Sequence, residues 1–160
     1  MNIKNIRMMK RGFFCFVAAA AAAMAGWPGA AGACTGITFR AKDGACVVAR
    51  TIEWGGSDLN SRYVVVPCGY TQRSMVPGGT DGMLFSARYG YVGLSVEREE
   101  FVAEGLNEAG LSAGLFYFPG YGQYEEFDPA KRSASIADLQ LVSWILGGCR
   151  TVEEVKEAVG

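Results

Sequence analysis

Cys34 follows directly after three small residues, Ala31-Gly32-Ala33, in the pattern that precedes a signal-peptidase cleavage site. Cleavage there would make this cysteine the first residue of the mature chain. Its freed α-amino group would then have a reference pKa of about 7.7–8.0, and its thiol one of about 8.5. Because proton transfer between the two groups is nearly balanced, an N-terminal cysteine can form a reactive thiolate with its own amine as the base.

Residues 1–33 have the order of a secretory signal peptide. A basic leader precedes an apolar, alanine-rich stretch from Phe13 to Ala25, and small residues stand before Cys34. The stretch is shorter than the roughly 18–20 residues that a membrane-spanning helix needs, and Trp27-Pro28 lies just beyond its end and would break a longer helix. We therefore predict a periplasmic or secreted protein whose signal peptide, 1–33, is removed, and whose mature part, 34–160, has no membrane span.

A lipoprotein signal peptide is the alternative, because it also places a cysteine after small residues. Lipidation of Cys34 would block both its thiol and its amine. The leucine that usually stands three residues before a lipidated cysteine is replaced by Ala31, which favours the free cysteine. The two kinds of processing have opposite consequences for the chemistry of Cys34.

The composition excludes several other kinds of chemistry. The chain has no histidine, so it lacks the imidazole base of Ser-His-Asp and Cys-His sites and the commonest metal ligand. Its five cysteines show no CxxC spacing, and we expect no metal site and no cofactor. A formal net charge of −1 argues against a nucleic-acid partner. A nucleophilic enzyme of this composition needs another kind of base, which favours the amine of Cys34.

Alternating apolar residues predict strands up to about residue 118. Two β-branched segments flank Lys42-Asp43-Gly44, which predicts a hairpin over residues 35–52. With a two-residue loop, Cys34 would pair with Glu53. Strand alternation would then place Arg50 on the opposite face from Glu53, unless a bulge or the end of the strand intervenes.

Further strands and then helices are predicted downstream. Residues 62–66 form a strand, residues 83–96 form a strand pair, and a turn at 107–110 joins two more strands. From there the spacing becomes helical. A capping pattern at Ser135 predicts the start of one helix, which Gly147-Gly148 should end.

A second capping pattern lies near the end of the sequence. Thr151 and Glu154 have the spacing of a capping box and precede apolar residues at helical intervals. We therefore predict a short second helix after residue 151. A helix of about two turns is marginal by itself and needs tertiary support.

Four segments follow one another from Cys34 onward: CTGITFRAKDG, ARTIEW, NSRYVVVPCGY and EGLNEAGLSAGLFYFPGY. In this order and spacing they resemble the choloylglycine hydrolase family, the linear amide C–N hydrolases that include bile salt hydrolases and penicillin V acylases. The resemblance implies an α+β fold of the N-terminal-nucleophile hydrolase type, an αββα sandwich with antiparallel sheets flanked by helices. It covers only the N-terminal half of the family domain, so we expect an incomplete, truncated domain in 34–160, with weak or no activity.

The resemblance also implies roles for individual residues. Cys34 is the expected nucleophile, whose thiol attacks the amide carbonyl while its amine relays the proton. Arg50 matches the family's arginine near the nucleophile, and Glu53 stands where most members have the aspartate that holds the α-amino group. The family's oxyanion-hole residue falls at the Phe116-Tyr117 pair, and Tyr117 is assigned to this role, which a backbone N–H can fill. The family's later catalytic asparagine and arginine have no counterpart in 34–160.

The resulting hypothesis is a cofactor-independent hydrolase that cleaves the linear amide bond of a small N-acyl substrate, of the conjugated bile salt or penicillin V type. A homo-oligomer of a full-length form stays open. The alternative is a catalytically inactive binding protein, or a fragment, of the same fold, either secreted or lipid-anchored. For single residues, the alternatives are that Cys34 is a small buried cysteine and that Arg50 and Glu53 form an ordinary cross-strand charge pair.

Overall fold

The computed structural model describes residues 34–54, 57–118 and 121–160. The strands in this part are β1 (Gly36–Arg40), β2 (Cys46–Arg50), β3 (Arg62–Val66), β4 (Thr71–Arg73), β5 (Leu84–Ser86), β6 (Tyr91–Ser95), β7 (Val102–Asn107) and β8 (Ser112–Gly114). Two 3₁₀ turns, Pro129–Ala134 and Asp138–Gln140, precede the helices α1 (Leu141–Gly148) and α2 (Val152–Val159). The signal peptide predicted for 1–33 lies outside the described residues.

The strands form three antiparallel sheets. β1 pairs with β2, β4 pairs with β5, and the largest sheet has the order β3-β6-β7-β8. The predicted hairpin at 35–52, the strand at 62–66 and the strands on both sides of the turn at 107–110 are confirmed. β4 was not predicted, because its three residues, Thr-Gln-Arg, show no apolar alternation.

The strand pair predicted within 83–96 is wrong in its pairing. β5 and β6 both exist, but β5 pairs with β4, and β6 lies between β3 and β7. The connecting residues make their hydrogen bonds elsewhere: the Ala87 N–H donates to Tyr70 O at 2.8 Å and the Arg88 N–H to Gly147 O at 2.7 Å. These distant acceptors direct β5 away from β6.

The core lies between α1 and one face of the four-stranded sheet. Leu146 of α1 is fully buried and sits directly over Gly105 of β7. A Cβ added at Gly105 would lie 2.6 Å from Leu146 Cδ1, so the close approach of the helix requires glycine there. The buried residues of this core cluster are Ala87, Tyr91, Val102, Val142 and Leu146.

The opposite face of the same sheet is apolar and exposed. It carries Tyr63, Val65, Val92 and Leu106, and the first of these is 91% exposed. Apolar residues on both faces are typical of a sheet that is covered on both sides. The predicted α+β class, with antiparallel sheets and helices, is confirmed, and in the described residues a helix covers one face of the main sheet.

The helix predicted to begin after Ser135 begins six residues later, at Leu141. Ser135 does not cap it, and the hydroxyl donates instead to Lys131 O at 3.0 Å. Gln140, the residue before the helix, is buried and accepts hydrogen bonds from Ser74 Oγ at 3.1 Å and from the Met75 N–H at 2.7 Å. These tertiary bonds decide where the helix starts.

The end of α1 and the start of α2 agree more closely with the predictions made from the sequence. α1 ends at Gly148, with Cys149 as its extended C-cap, so the prediction that Gly147-Gly148 ends this helix is confirmed. The cap of α2 is confirmed, because the Glu154 N–H donates to Thr151 Oγ1 at 3.1 Å. Such a cap depends only on neighbouring residues and can therefore be predicted from the sequence.

Candidate active site

The β1–β2 hairpin turns through three residues, 42–44, rather than the predicted two. The Ala41 N–H donates to Ala45 O at 2.8 Å and closes the loop, and the glycine that ends the loop has φ +89°. This is the common three-residue hairpin in which a glycine takes up the left-handed conformation. One extra loop residue shifts the pairing of every residue behind it.

The register differs by one residue from the prediction, and the difference determines the geometry of the site. Arg50 pairs with Gly36 rather than with Ile37. Because alternate residues of a strand share a face, Arg50 lies on the same side as Gly36 and Cys34. The predicted register would have placed it on the other side. β2 ends at Arg50, so strand alternation no longer constrains Glu53.

The pairing continues one residue beyond the two strands, toward Cys34. The Thr51 N–H donates to Thr35 O at 2.9 Å, and the Thr35 N–H donates to Thr51 Oγ1 at 3.1 Å. The residue next to Cys34 is therefore held by two hydrogen bonds. This fixes the direction in which Cys34 leaves the hairpin.

The Arg50 side chain is enclosed, with only 3% of its surface exposed. Its Nη1 donates to Leu115 O at 2.5 Å and to Ala103 O at 3.3 Å, which ties the hairpin to the region of β7 and β8. Its Cζ lies 4.3 Å from the centre of the Phe116 ring, a cation–π contact. The guanidinium is thus fixed by the backbone and by an aromatic face.

The acidic partner of Arg50 is Glu104 of β7, whose carboxylate lies 3.9 Å from Arg50 Nε. The alternative of a charge pair between Arg50 and Glu53 is therefore not what forms. The backbone of Glu53 instead helps to lower the pKa of the Cys34 thiol. Its predicted side-chain role, to hold the α-amino group, stays a prediction.

Cys34 is partly buried, and its surroundings favour the thiolate. Burial is the largest single influence and acts to raise the pKa of the thiol. Backbone hydrogen bonds from Glu53 and Tyr117, together with the charge and a hydrogen bond of Arg50, outweigh it and hold the pKa of Cys34 below its ordinary value. The structure thus brings Arg50 and the backbone of Glu53 and Tyr117 together at the sulfur of Cys34.

Aromatic side chains lie beside the backbone that contacts Cys34. The rings of Trp54 and Tyr117 are tilted against each other, with their centroids 5.0 Å apart. A hydrogen bond with Asp138 is the main cause that raises the pKa of Tyr124, and a smaller contribution comes from Tyr117. Trp54, Tyr117 and Tyr124 are all exposed, so they offer apolar surface next to the site.

Sequence reasoning missed three contributors to the site. Ala103 and Leu115 act through their carbonyl oxygens, and a backbone acceptor leaves no signal in the residue type. Glu104 does leave one, because it is a carboxylate in a segment whose other residues are uncharged, Val102–Asn107. A charged residue in such a strand indicates a buried partner of opposite charge.

The described part of the chain also bears on metal binding and membrane insertion. There, no group of three or more His, Cys, Asp or Glu side chains is arranged to hold a metal ion. Within the same residues, no helix has the length and apolar character needed to traverse a bilayer. The cysteines of this part are free thiols: Cys34, Cys46, Cys68 and Cys149.

The arrangement can hold a thiolate ready to attack an electrophilic carbon. Two backbone N–H groups and a guanidinium stabilise the anionic sulfur, so ionisation of Cys34 does not depend on a histidine. The N–H of Tyr117 could also face an oxygen that becomes negative during such an attack.

Comparisons with known proteins agree on one family. The family described as linear amide C–N hydrolases, choloylglycine hydrolase family, matches residues 34–160. A bile salt hydrolase/transferase of Clostridium perfringens is 26% identical over 128 residues, which are 79% of this chain and 37% of that protein. Another, of Lactiplantibacillus plantarum, is 30% identical over 73 residues, 44% of this chain and 22% of that protein. No solved structure matches.

The match begins at Cys34, the residue on which the site is centred. The aligned regions span 37% or less of the curated relatives' lengths. The resemblance carried by the four sequence segments is confirmed, and the antiparallel sheets agree with the N-terminal-nucleophile fold of this family. The chain therefore belongs to the choloylglycine hydrolase family of linear amide C–N hydrolases.

Proposed function

We propose that Cys34, once exposed as the N-terminal residue, is the nucleophile of a hydrolase that cleaves the linear amide bond of a small N-acyl substrate. Family membership supports the reaction class. One observation carries the assignment of the nucleophile: Arg50 and the backbone of Glu53 and Tyr117 converge on the Cys34 thiol and lower its pKa. A thiolate is the nucleophilic form of cysteine.

The reaction proceeds in two halves. In the first, the sulfur attacks the carbonyl carbon of the amide, and its proton passes by way of the α-amino group to the leaving nitrogen. A C–S bond forms as the C–N bond breaks, so the amine departs and an acyl-thioester remains on Cys34. In the second, water attacks the thioester carbonyl, the C–S bond breaks, and a proton from the water returns the thiol as the carboxylic acid leaves.

The other residues of the site have separate roles in this proposal. Arg50 stabilises the thiolate by its charge before attack. Glu53 holds the α-amino group with its carboxylate and favours the protonated form that the amine takes on in the first half-reaction. The Tyr117 N–H donates to the oxygen that becomes negative when the carbonyl is attacked.

The substrate is proposed to be an N-acyl amide with an apolar acyl group, of the conjugated bile salt or penicillin V type. The exposed rings of Trp54 and Tyr117, which lie together beside the site, support an apolar acyl group. The two bile salt hydrolase relatives support a conjugated bile salt. A periplasmic or secreted location is proposed with it, because removal of 1–33 is what frees the Cys34 amine.

The test begins with the chain expressed with its leader in a bacterial host. Intact mass is measured before and after incubation with the p-nitrophenyl ester of phenoxyacetic acid, and peptide mapping locates any acyl group. We expect a chain that starts at Cys34 with a free amine and gains one acyl group on that sulfur. Cys46→Ser, which alters an exposed thiol outside the site, should be labelled at Cys34 like the wild type.

Two results would contradict the proposal. One is a diacylglyceryl group on Cys34, which would block the thiol and leave the alternative of a lipid-anchored binding protein. The other is acylation of the Cys34→Ser variant to the same extent as the wild type. In that case the acyl group does not depend on the thiol that the proposal names.

A further inference from the structure

The Phe116 ring lies between the hairpin backbone and the Arg50 guanidinium. A Cβ added at Gly36 would lie 2.6 Å from Phe116 Cζ and 3.0 Å from Cε1, so the ring rests directly on that glycine. Arg50 Cζ lies 4.3 Å from the centre of this ring. Gly36 and Arg50 are partners across β1 and β2, which places ring and guanidinium on one face of the hairpin.

The way in which Arg50 is held leaves its charge available. Nη1 donates to two carbonyl oxygens, which are neutral. In the part of the chain that the structure describes, the carboxylate near the guanidinium is that of Glu104, 3.9 Å from Nε. A close, bidentate carboxylate would compete with a thiolate for the same cation. The face of an aromatic ring attracts a cation without neutralising it. Phe116 can therefore fix the guanidinium while Arg50 still acts on Cys34.

Phe116 also precedes Tyr117 in the sequence, and the backbone of Tyr117 is another group that acts on the sulfur of Cys34. The backbone of the next residue, Tyr117, helps to lower the pKa of the Cys34 thiol, and the carbonyl oxygen of the residue before, Leu115, accepts from Arg50 Nη1 at 2.5 Å. A shift of the ring would therefore move both the guanidinium and this stretch of backbone. Among the described residues, Arg50 is the charged side chain acting on the Cys34 thiol, and Glu104 is the carboxylate facing Arg50.

We propose that Phe116 is a positioning residue: seated on Gly36, its ring holds the Arg50 guanidinium at the Cys34 thiol and sets the backbone of Tyr117 against the same sulfur. This role rests on the proposed function of Cys34 as nucleophile. Phe116 acts through Arg50 and Tyr117 and needs no contact with substrate.

The test uses the pH dependence of Cys34 alkylation by iodoacetamide in the chain as expressed, followed by mass spectrometry of the Cys34 peptide. Phe116→Leu removes the ring and keeps an apolar side chain. We expect the pH of half-maximal rate to rise and the rate at neutral pH to fall about fivefold, a size typical of a cation–π contact. Phe127→Leu is the matched control, since Phe127 carries a different arginine, Arg132, 5.2 Å from its ring centre.

A second variant disturbs the ring without changing it. Gly36→Ala would place its Cβ against the ring, and we expect it to raise the same pH of half-maximal rate. Because leucine does not extend as a ring does, Gly36→Ala should add little in the Phe116→Leu background. Such non-additivity is expected of residues that act through one contact.

The outcomes separate this proposal from the proposed function. A wild-type pH profile in both Phe116→Leu and Gly36→Ala, with wild-type circular dichroism, would overturn the role of Phe116. If Phe116→Leu does not fold, the Gly36→Ala profile decides. Absence of acylation of wild-type Cys34 by the phenoxyacetyl ester would instead contradict the nucleophile assignment, and the alkylation profiles would still report on Phe116.

Discussion

The hairpin that carries the site and the sheet that carries the core are built differently. β6 and β7 each have a neighbour on both sides, and their residues Tyr91 and Val102 are buried under α1. In the described residues, β1 and β2 pair with each other alone, and every residue of β1 is exposed. Cys34, the proposed nucleophile, is therefore attached to the less packed of the two regions.

Arg50 connects these two regions. Its side chain is enclosed, unlike its neighbours on the hairpin, and two of its hydrogen bonds end on Ala103 and Leu115 near β7 and β8. The residue assigned to stabilise the thiolate thus also attaches the hairpin to the sheet. Changes in the sheet and in α1 should lower the free energy of unfolding of the whole protein, whereas changes in the hairpin should alter Cys34 and leave the core intact.

The largest effect is expected from Leu146→Ala, in the core. Leu146 is 0% exposed, and its truncation should lower the free energy of unfolding by about 3 kcal/mol through lost burial and a residual cavity. Urea denaturation followed by circular dichroism measures the change. The control is Val159→Ala in α2, where the side chain is 61% exposed and the expected change is small. A loss below about 1 kcal/mol for Leu146→Ala would mean that α1 is not part of the core.

Arg50→Ala should separate the two regions. It removes the donors to Ala103 O and Leu115 O and the charge beside Cys34, so we expect amides of β1 and β2 to exchange about tenfold faster. The amides of α1 should keep their wild-type protection in the same hydrogen-exchange experiment. Arg50→Lys keeps a charge but lacks the planar fork, and should only partly restore the hairpin. Equal loss of protection in α1 would show that the regions are not independent.

The two hairpin turns allow a matched comparison. Gly44 in the β1–β2 loop and Gly110 in the β7–β8 loop both have φ +89°, and alanine at either position costs about 1 kcal/mol of strain. Gly110→Ala should lower the global free energy of unfolding by that amount. Gly44→Ala should mostly speed local exchange of the hairpin. Gly148→Ala is the control, because a Cβ at all three positions meets nothing within 4 Å but Gly148 has no positive φ.

Features that depend on neighbouring residues were predictable from the sequence. The cap at Thr151 and the hairpins around 42–44 and 107–110 follow from local turn and capping chemistry. The register of the β1–β2 hairpin was not predictable. Lys42 could belong to the loop or to the strand, and the hydrophobic pattern does not distinguish these two possibilities. That single residue decides whether Arg50 shares a face with Cys34.

Features that depend on distant partners were not predictable. The start of α1 follows from the bond between Gln140 and Ser74, which are 66 residues apart. The position of the Arg50 side chain depends on hydrogen bonds to carbonyl oxygens that lie 53 and 65 residues further along the chain. The family resemblance identified Arg50 as a site residue. It did not indicate that Glu104 rather than Glu53 lies nearest its charge.

The pKa values of the Cys34 and Cys149 thiols should be shifted in opposite directions in the folded chain. Burial, with a smaller effect of Glu154, raises the pKa of Cys149, whereas the donors around Cys34 lower the pKa of that thiol. A depressed pKa in the folded chain means that Cys34 stabilises the fold above its unfolded pKa, and that this contribution is lost as the pH falls through the folded value. Cys149 has a raised pKa in the folded chain, so it stabilises the fold below its unfolded pKa, and this contribution is lost as the pH rises through the folded value.

The most direct test is the pH dependence of iodoacetamide alkylation at Cys34, measured in the folded chain and again in urea. Peptide mass spectrometry follows Cys34 and Cys149 in the same samples. We predict that Cys34 reaches its half-maximal rate at a lower pH in the folded chain than in urea, and that Cys149 shifts the other way. A half-maximal pH for folded Cys34 equal to or above its value in urea would contradict a thiolate held by Arg50 and the backbone of Glu53 and Tyr117.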